Sequence, residues 1–186
     1  GNGTYEYTVN GGTTWQASGN FAALIPGFYN VQIRDGANIS CVVILNGSLQ
    51  VTQPAVLNAS FSSSNVTCFG SNNGTITISS PTGGYGTYEY TINGGTTWQA
   101  TGAFTNLASV SYNVQIRDAA YIGCVIILNG ALVITEPVVL SATVTPIMAS
   151  CNGANDGIII ITSPAGGYGT YQYSVNGGTS WQGSGT

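Results

Sequence analysis

The strongest constraint on the fold of this chain is a repeat of 83 residues without insertion or deletion. Residue types that anchor folds recur at this spacing: Thr4/Thr87/Thr170, Trp15/Trp98/Trp181, Cys41/Cys124, Cys68/Cys151 and Pro54/Pro137. Residues 4–17 and 87–100 differ at one position of fourteen, Val9 against Ile92. A catalytic domain needs one copy of its site, whereas near-identical modules in series span distance or multiply weak contacts. The repeat therefore favours a structural or adhesive fibre.

Charge is scarce in this sequence. Only 4% of the residues are charged, with two arginines, no lysine and no histidine, against roughly 25% charged residues in ordinary domains. Two cations cannot supply the phosphate contacts that drive nucleic-acid binding. Without histidine, Ser/His and Cys/His nucleophilic schemes have no base. We therefore expect no nucleic-acid partner, no cofactor and no enzymatic activity.

The apolar runs of the sequence have the length of strands. The longest, Cys41–Leu45 and Gly157–Ile161, are far short of the roughly 20 residues of a membrane-spanning helix. Residues 75–78, 88–92 and 114–117 alternate apolar and polar side chains with the period of half-buried strands. We expect an all-β fold, and no membrane insertion by this segment.

Asn-Gly dipeptides mark predicted turns between these strands. They occur at Asn73-Gly74, Asn93-Gly94 and Asn129-Gly130, and the last, between CVIIL and ALVIT, predicts a hairpin. About seven short strands per repeat favour tandem immunoglobulin-like β-sandwich modules. The alternative is a continuous β-solenoid, which needs a much shorter period.

Two prolines close strand-like runs, and we place module boundaries there because proline cannot donate to a β-ladder. The boundaries divide the chain into the C-terminal part of one module (1–54), a complete module (55–137) and the N-terminal part of a third (138–186). This division predicts an excerpt of a longer string. A rival interpretation is that neighbouring chains complete each other's partial modules.

Several motifs of the repeat are distinctive in combination. A Cys-x-Gly-x-x-x-Gly turn (68–74 and 151–157) is followed by GGYGTYEYTINGG, YNVQIRDAAYIGC and VITEP. This pattern resembles the SprB-type repeat of giant cell-surface adhesins from Bacteroidetes, some of which serve gliding motility. The resemblance covers nearly the whole chain. It implies an extracellular, cell-surface location, export by a Bacteroidetes-type route, and no catalytic activity.

The cysteines occur twice per module, and four cysteines allow three pairings. We favour Cys68 with Cys124, because a module that folds alone needs its own cross-link; Cys41 and Cys151 then pair outside this segment. The rival pairs Cys41 with Cys68 and Cys124 with Cys151, and free buried thiols remain an alternative. Isolated cysteines without histidine do not indicate zinc, and we expect no metal site.

Acidic residues give little indication of a site. Glu89 alternates with tyrosines that face the core, so it should point outward and pair across strands with Arg117. The turn that contains Asp156 hints at calcium, but the equivalent turn at 72–74 has no acid. A calcium loop needs several carboxylates, so an ordinary turn is expected.

Aromatic residues are assigned mainly to the core. Trp98, Tyr88 and Tyr90 are predicted core aromatics, since one tryptophan per module usually fills a sandwich core. Tyr85, in the GGYG loop, is the residue expected to be exposed and available for a surface ligand. The alternative is that these aromatics form a sugar-stacking platform.

The function predicted from these patterns is a structural and adhesive repeat of an extracellular fibre, with further copies of the same repeat as partners and possible contacts to surface glycans or sister fibres. Three rivals remain: a pilus-like polymer of subunits, a carbohydrate-binding module, and an ice- or mineral-binding face built on threonines such as Thr75 and Thr77.

Overall fold

The computed structural model describes residues 3–186 and confirms the all-β class. Its contacts divide the chain into two compact units, Gly1–Ala55 and Val56–Thr186. The second predicted module boundary, at Pro137, falls inside the second unit. In the described range no helix has the length and apolar character needed to cross a bilayer.

The first unit is one antiparallel sheet of three strands. Its strands are β1 (Tyr5–Thr8), β2 (Gly27–Asp35) and β3 (Val42–Val51), in the order β1-β2-β3. The register places Tyr5 opposite Asp35 and Arg34 opposite both Glu6 and Val42.

The second unit begins with a β-sandwich of two three-stranded antiparallel sheets. Its strands are β4 (Asn58–Ser64), β5 (Gly74–Thr82), β6 (Tyr88–Thr91), β7 (Ala103–Leu107), β8 (Ser111–Asp118) and β9 (Val125–Val133). The sheet orders are β4-β5-β7 and β6-β8-β9. They correspond to the A-B-E and C-F-G sheets of an immunoglobulin-like sandwich without its D strand, so the module has one strand fewer than the sequence predicted. The unit ends in a hairpin of β10 (Ser141–Ile147) and β11 (Ile158–Ala165).

The core of the sandwich lies between the two sheets, as the period-two alternation predicts. Its buried members come from both sheets and their ends: Val66, Ile76, Ile78, Tyr90, Val114, Ile116 and Ile134. Burying the aliphatic members of this set is the main source of stability, at about 1.5–3 kcal/mol each.

The Asn129-Gly130 hairpin prediction is wrong. Both residues lie inside the continuous strand β9, where the pairing with β8 shifts register on either side of the pair Val114–Asn129. The Asn129 side chain accepts a hydrogen bond from the Ala131 backbone N–H, which holds the irregularity. The dipeptide therefore makes a β-bulge rather than a turn, because β8 offers a ladder partner on both sides of it.

The two ends of the sandwich carry different loops. We call the end where the chain leaves β9 the exit end, and the opposite end, which carries the loops after β5 and β8, the entry end. At the exit end, the loop 65–73 meets the chain that leaves β9: the Val66 N–H donates to the Thr135 carbonyl (2.9 Å) and the Gly70 N–H to Glu136 Oε2 (2.7 Å). At the entry end, the loops that follow β5 and β8 meet each other, as described below. A nine-residue strand such as β5 rises about 3.3 Å per residue, so the two ends lie about 25 Å apart.

Candidate functional site: the joint between modules

The loop after β5 occurs twice in the chain. Residues 80–88 read SPTGGYGTY and residues 163–171 read SPAGGYGTY, with one difference. Each copy presents one tyrosine, Tyr85 or Tyr168, and we call the two segments the tyrosine loops. Their backbones are held alike: the Tyr88 hydroxyl donates to the Gly83 carbonyl (2.8 Å), as the equivalent tyrosine does in the second copy.

The first tyrosine loop is fixed by a buried carboxylate at the end of β8. Asp118 is fully buried and accepts backbone N–H bonds from Tyr85 (2.5 Å), Ala120 (2.8 Å) and Tyr121 (3.2 Å). These donors, above all that of Tyr85, hold the pKa of the Asp118 carboxyl below its ordinary value of 3.8, against the effect of burial. One side chain thus anchors both loops of the entry end.

Aromatic contact completes the entry end. The rings of Tyr85 and Tyr121 lie 4.4 Å apart between centroids, within the usual range for aromatic pairs. Tyr85 nevertheless remains 58% exposed. The entry end of the complete module therefore presents a rigidly held, apolar surface that includes Tyr85, as the sequence predicted for that residue's exposure.

The second tyrosine loop lies against the exit end of the complete module. The Tyr168 hydroxyl donates to the Val66 carbonyl at 3.1 Å, although the two residues are 102 positions apart. A cleft of about 420 Å³ lies at this contact, and it is lined by residues of the exit end, the connection and the loop: Thr67, Cys68, Phe69, Pro137, Val138, Val139, Leu140, Gly167, Tyr168 and Thr170. This is a joint between the complete module and residues 138–186.

In the described range, the second tyrosine loop lacks the aromatic neighbour that the first has in Tyr121. Tyr168 is 73% exposed, because residues 138–186 include no copy of the 119–124 loop that packs against Tyr85 in the complete module. The described residues that line the cleft include no acidic or basic side chain, and the Tyr168 hydroxyl joins the loop to the exit end. The contact holds the second tyrosine loop against the exit end.

A second repeated group lies on the outer face of the sheet β6-β8-β9. Arg117 forms the predicted ion pair with Glu89 (2.7 Å), and its guanidinium stacks over Trp98 at 4.4 Å. The same group occurs in the first unit, where Arg34 contacts Glu6 at 2.6 Å and Trp15 at 4.3 Å. A solvent-accessible ion pair, even one that is partly buried as here, contributes little stability, so the main effect of the group is to fix the tryptophan on the surface of the sheet.

The predicted core aromatics take different positions. Tyr90 is 6% exposed and belongs to the buried core, and Tyr88 packs against that core. Trp98 lies outside this cluster. It stacks under Arg117, whose side chain points away from the face of β8 that carries the buried Ile116 and Asp118. Its indole N–H donates to the Gly95 carbonyl at 2.9 Å.

The structure has no disulfide among the four cysteines, so the predicted Cys68–Cys124 pair is not formed, whereas the pairing of Cys41 and Cys151 outside this segment stays a prediction. Cys41, Cys68, Cys124 and Cys151 are all free and exposed. Cys68 lies in the loop of the exit end and Cys124 at the entry end, about 25 Å away by strand length, whereas a disulfide requires Cα atoms within roughly 7 Å. The within-module pairing is therefore wrong for a geometric reason that the sequence spacing does not reveal.

The comparisons with known proteins give one match. The family model described as the SprB repeat matches residues 60–97 and 141–180. These two segments are similar to the SprB repeat. No curated protein and no solved structure matches it. The two SprB matches each span the Cys-x-Gly-x-x-x-Gly turn and a tyrosine loop, the elements that meet at the joint.

The two Cys-x-Gly-x-x-x-Gly turns are closed by a side chain before the last glycine. In one, Asn73 Oδ1 accepts from the Thr67 N–H at 2.9 Å; in the other, Asp156 Oδ1 accepts from the Ser150 N–H at 3.0 Å. Ser150 holds the pKa of Asp156 below its ordinary value. Among residues 3–186 no cluster of potential metal ligands is present. Asp156 thus does the same structural work as an asparagine.

We expect Asp118→Asn to destabilise the complete module at neutral pH, because an amide offers one acceptor oxygen where the carboxylate offers two. The carboxyl pKa is lowered by folding. Its contribution to stability is therefore present above its ordinary pKa of 3.8 and is lost as the pH falls through the folded value. Thermal melting of both proteins from about pH 7 to 2.5 should show the difference narrowing in acid. A constant difference would contradict this role.

Proposed function

We propose that the chain is a structural repeat segment of an extracellular, cell-surface adhesin. Modules joined end to end set the reach of the fibre, and each module repeats the same surface. The observation that carries the proposal is the joint, where a tyrosine loop lies against the exit end of the module before it. The family match supports a surface adhesin-type repeat region.

The joint supports the spacing function because it restricts bending. The connection between the modules runs through Pro137, whose φ is fixed by its ring. The Gly167 N–H of the second tyrosine loop also donates to the Val138 carbonyl at 2.8 Å. Connection and loop are thus tied to each other, and the Tyr168 hydroxyl ties the loop to the preceding module.

Adhesion in this proposal depends on repetition. The Glu–Arg–Trp group has the same geometry around Arg34 and Arg117. Weak contacts made by each copy, to surface glycans or sister fibres, add through high effective concentration rather than high individual affinity. The role we propose is non-catalytic.

The joint can be tested with Tyr168→Phe and Tyr168→Ala in the full chain. Tyr168→Phe removes one hydrogen bond of about 0.5–1.5 kcal/mol, so amides at 66–70 and 138–140 should exchange roughly 2–10-fold faster. Tyr168→Ala also removes the ring contacts and should act more strongly. The measurement is hydrogen exchange by mass spectrometry.

Tyr85→Phe is the matched control, since within the second unit the Tyr85 hydroxyl makes no hydrogen bond. It should leave exchange at the joint unchanged. Amides of β8 should stay protected in all three variants, because the core is not altered. Unchanged exchange at 66–70 in both Tyr168 variants would show that the loop does not stabilise the joint.

A second candidate function is a pilus-like polymer in which chains complete each other's modules. Val43 and Leu45 of β3 are each 58% exposed, whereas their equivalents in β9 pack against the core. Ile159 of β11 is 46% exposed, whereas the equivalent Ile76 is 0% exposed. The hairpin β10–β11 has the strands that the sheet β1-β2-β3 lacks, so one chain offers the next a complementary apolar face.

Sedimentation velocity separates the two candidates. A spacer segment sediments as a monomer of 19.0 kDa over a wide range of concentration. Growth into species that increase in steps of one chain, and that Ile159→Ser abolishes, would favour the polymer.

A further inference from the structure

We propose that the two cysteines of the repeat form a disulfide across each joint, between the exit-end cysteine of one module and the entry-end cysteine of the module after it. In this chain Cys68 is such an exit-end cysteine, and its partner is the copy of Cys124 in the completed following module. This inference rests on the joint described under the proposed function.

Cys68 already lies at the joint. It lines the cleft between the exit end and the second tyrosine loop, together with Phe69 and Tyr168, and its thiol is free and exposed. The hydrogen bond from Tyr168 to Val66, two residues before Cys68, keeps this tyrosine loop next to the cysteine.

The entry-end cysteine, Cys124 in the complete module, is held at a fixed position relative to the tyrosine loop. In the complete module the ring of Tyr121 contacts that of Tyr85, and the Cys124 N–H donates to the Tyr121 carbonyl at 2.8 Å. Such a hydrogen-bonded four-residue turn keeps its first and last Cα atoms within roughly 7 Å. Cys124 is therefore held one turn from the residue that packs on Tyr85.

The repeat brings these two observations together. Tyr168 is the copy of Tyr85, so a completed following module places a copy of Tyr121 on Tyr168 and a copy of Cys124 one turn further. Cys68 and Tyr168 line the same cleft, so both cysteines of the proposed pair lie near Tyr168. The cysteines thus lie at opposite ends of one module because they serve two different joints.

The chemistry is ordinary thiol oxidation. Two thiols lose two protons and two electrons as the S–S bond forms, and a small-molecule disulfide accepts the electrons and becomes two thiols. An extracellular location allows such bonds to persist. The effect is to lock the order of successive modules covalently, in addition to the backbone connection.

The test uses the full chain extended at its C-terminus by a copy of residues 104–137, which completes the third module. After oxidation with glutathione disulfide at high dilution, we expect the number of free thiols to fall by two per molecule. Peptide mapping should find Cys68 joined to the appended copy of Cys124. The chain without the extension should keep all four thiols free under the same treatment.

Two serine variants of the extended chain define the pairing. Cys68→Ser should abolish the disulfide and leave the appended thiol open to alkylation, whereas Cys151→Ser should leave the disulfide intact. A free appended thiol in a module whose strands are protected from exchange would overturn the proposal, as would its pairing with Cys151. The Tyr168 variants report on the joint separately, so the disulfide can fail while the proposed function stands.

Discussion

Ile116→Ala lowers the free energy of unfolding of the complete module by about 3–5 kcal/mol. Ile116 is 0% exposed and lies between the two sheets, so its truncation leaves a cavity that the surrounding strands cannot fill. A loss of this size approaches the total stability of a small domain, about 5–15 kcal/mol. The variant should therefore unfold the module at temperatures where the native chain is folded.

The repeat supplies a matched control for this prediction. Ile33 occupies the equivalent position of β2 in the first unit, where it is only half-buried. Ile33→Ala should therefore cost clearly less, about 1–2 kcal/mol. Hydrogen exchange of peptides covering 111–118 and 27–35 reports the two units separately. Equal losses in the two variants would contradict the assignment of the core to the sandwich.

Gly84→Ala should destabilise the complete module by about 2–4 kcal/mol. Gly84 has a φ of +60°, and a Cβ there would lie 2.5 Å from Asp118 Oδ2 and 2.7 Å from Leu57 Cδ2. The methyl group must displace either the buried carboxylate or the start of β4. Both shifts disturb the hydrogen bond from the Tyr85 N–H to the Asp118 carboxylate, so the Tyr85 ring should lose its contact with Tyr121.

Gly167→Ala is the appropriate comparison. Gly167 has the same φ of +60°, but there the Cβ would meet only the side chain of Leu140. That side chain is exposed and can move away, so this variant should lose less stability. Chemical denaturation with exchange at 83–87 and 166–170 measures both effects. A loss in Gly84→Ala no larger than in Gly167→Ala would show that the carboxylate contact is unimportant.

The parts of the fold that local patterns determine could be predicted from the sequence. Alternation at 88–92 and 114–117 identified β6 and β8, and the same alternation placed Glu89 and Arg117 on one face, where they pair. The exposure of Tyr85 followed from its position in a glycine-rich loop. Each of these inferences needs only neighbours in sequence or an adjacent strand.

Features that depend on the tertiary arrangement could not be predicted in this way. The Asn129-Gly130 turn signal was overridden because β8 pairs with both sides of it. Trp98 was assigned to the core because one tryptophan per module usually fills a sandwich core, but its contact with the Arg117 guanidinium lies outside the core cluster. The separation of Cys68 from Cys124 depends on strand order, which sequence spacing does not contain.

The anchor of the tyrosine loop was also missed, although the sequence carries a signal for it. Asp118 and its copy Asp35 are acids at the ends of strands that alternate apolar and polar residues, and both are buried. An acid at such a position needs several hydrogen-bond donors, and the glycine pair at 83–84 marks where a backbone approaches closely enough to provide one.

The bulge in β9 also matters for keeping neighbouring copies apart. β9 lies at the edge of its sheet, and an open edge in a chain of near-identical sequences invites a strand of one copy to pair with the sheet of another. Most proteins discourage this with lysines, which this chain lacks entirely. In this chain the register of β9 shifts on both sides of Asn129. A straight strand from another copy cannot follow the ladder past this bulge, so edge-to-edge pairing is hindered by geometry. Crowded fibres of such chains should therefore resist edge-to-edge aggregation without relying on charge, and should do so equally well in salty water.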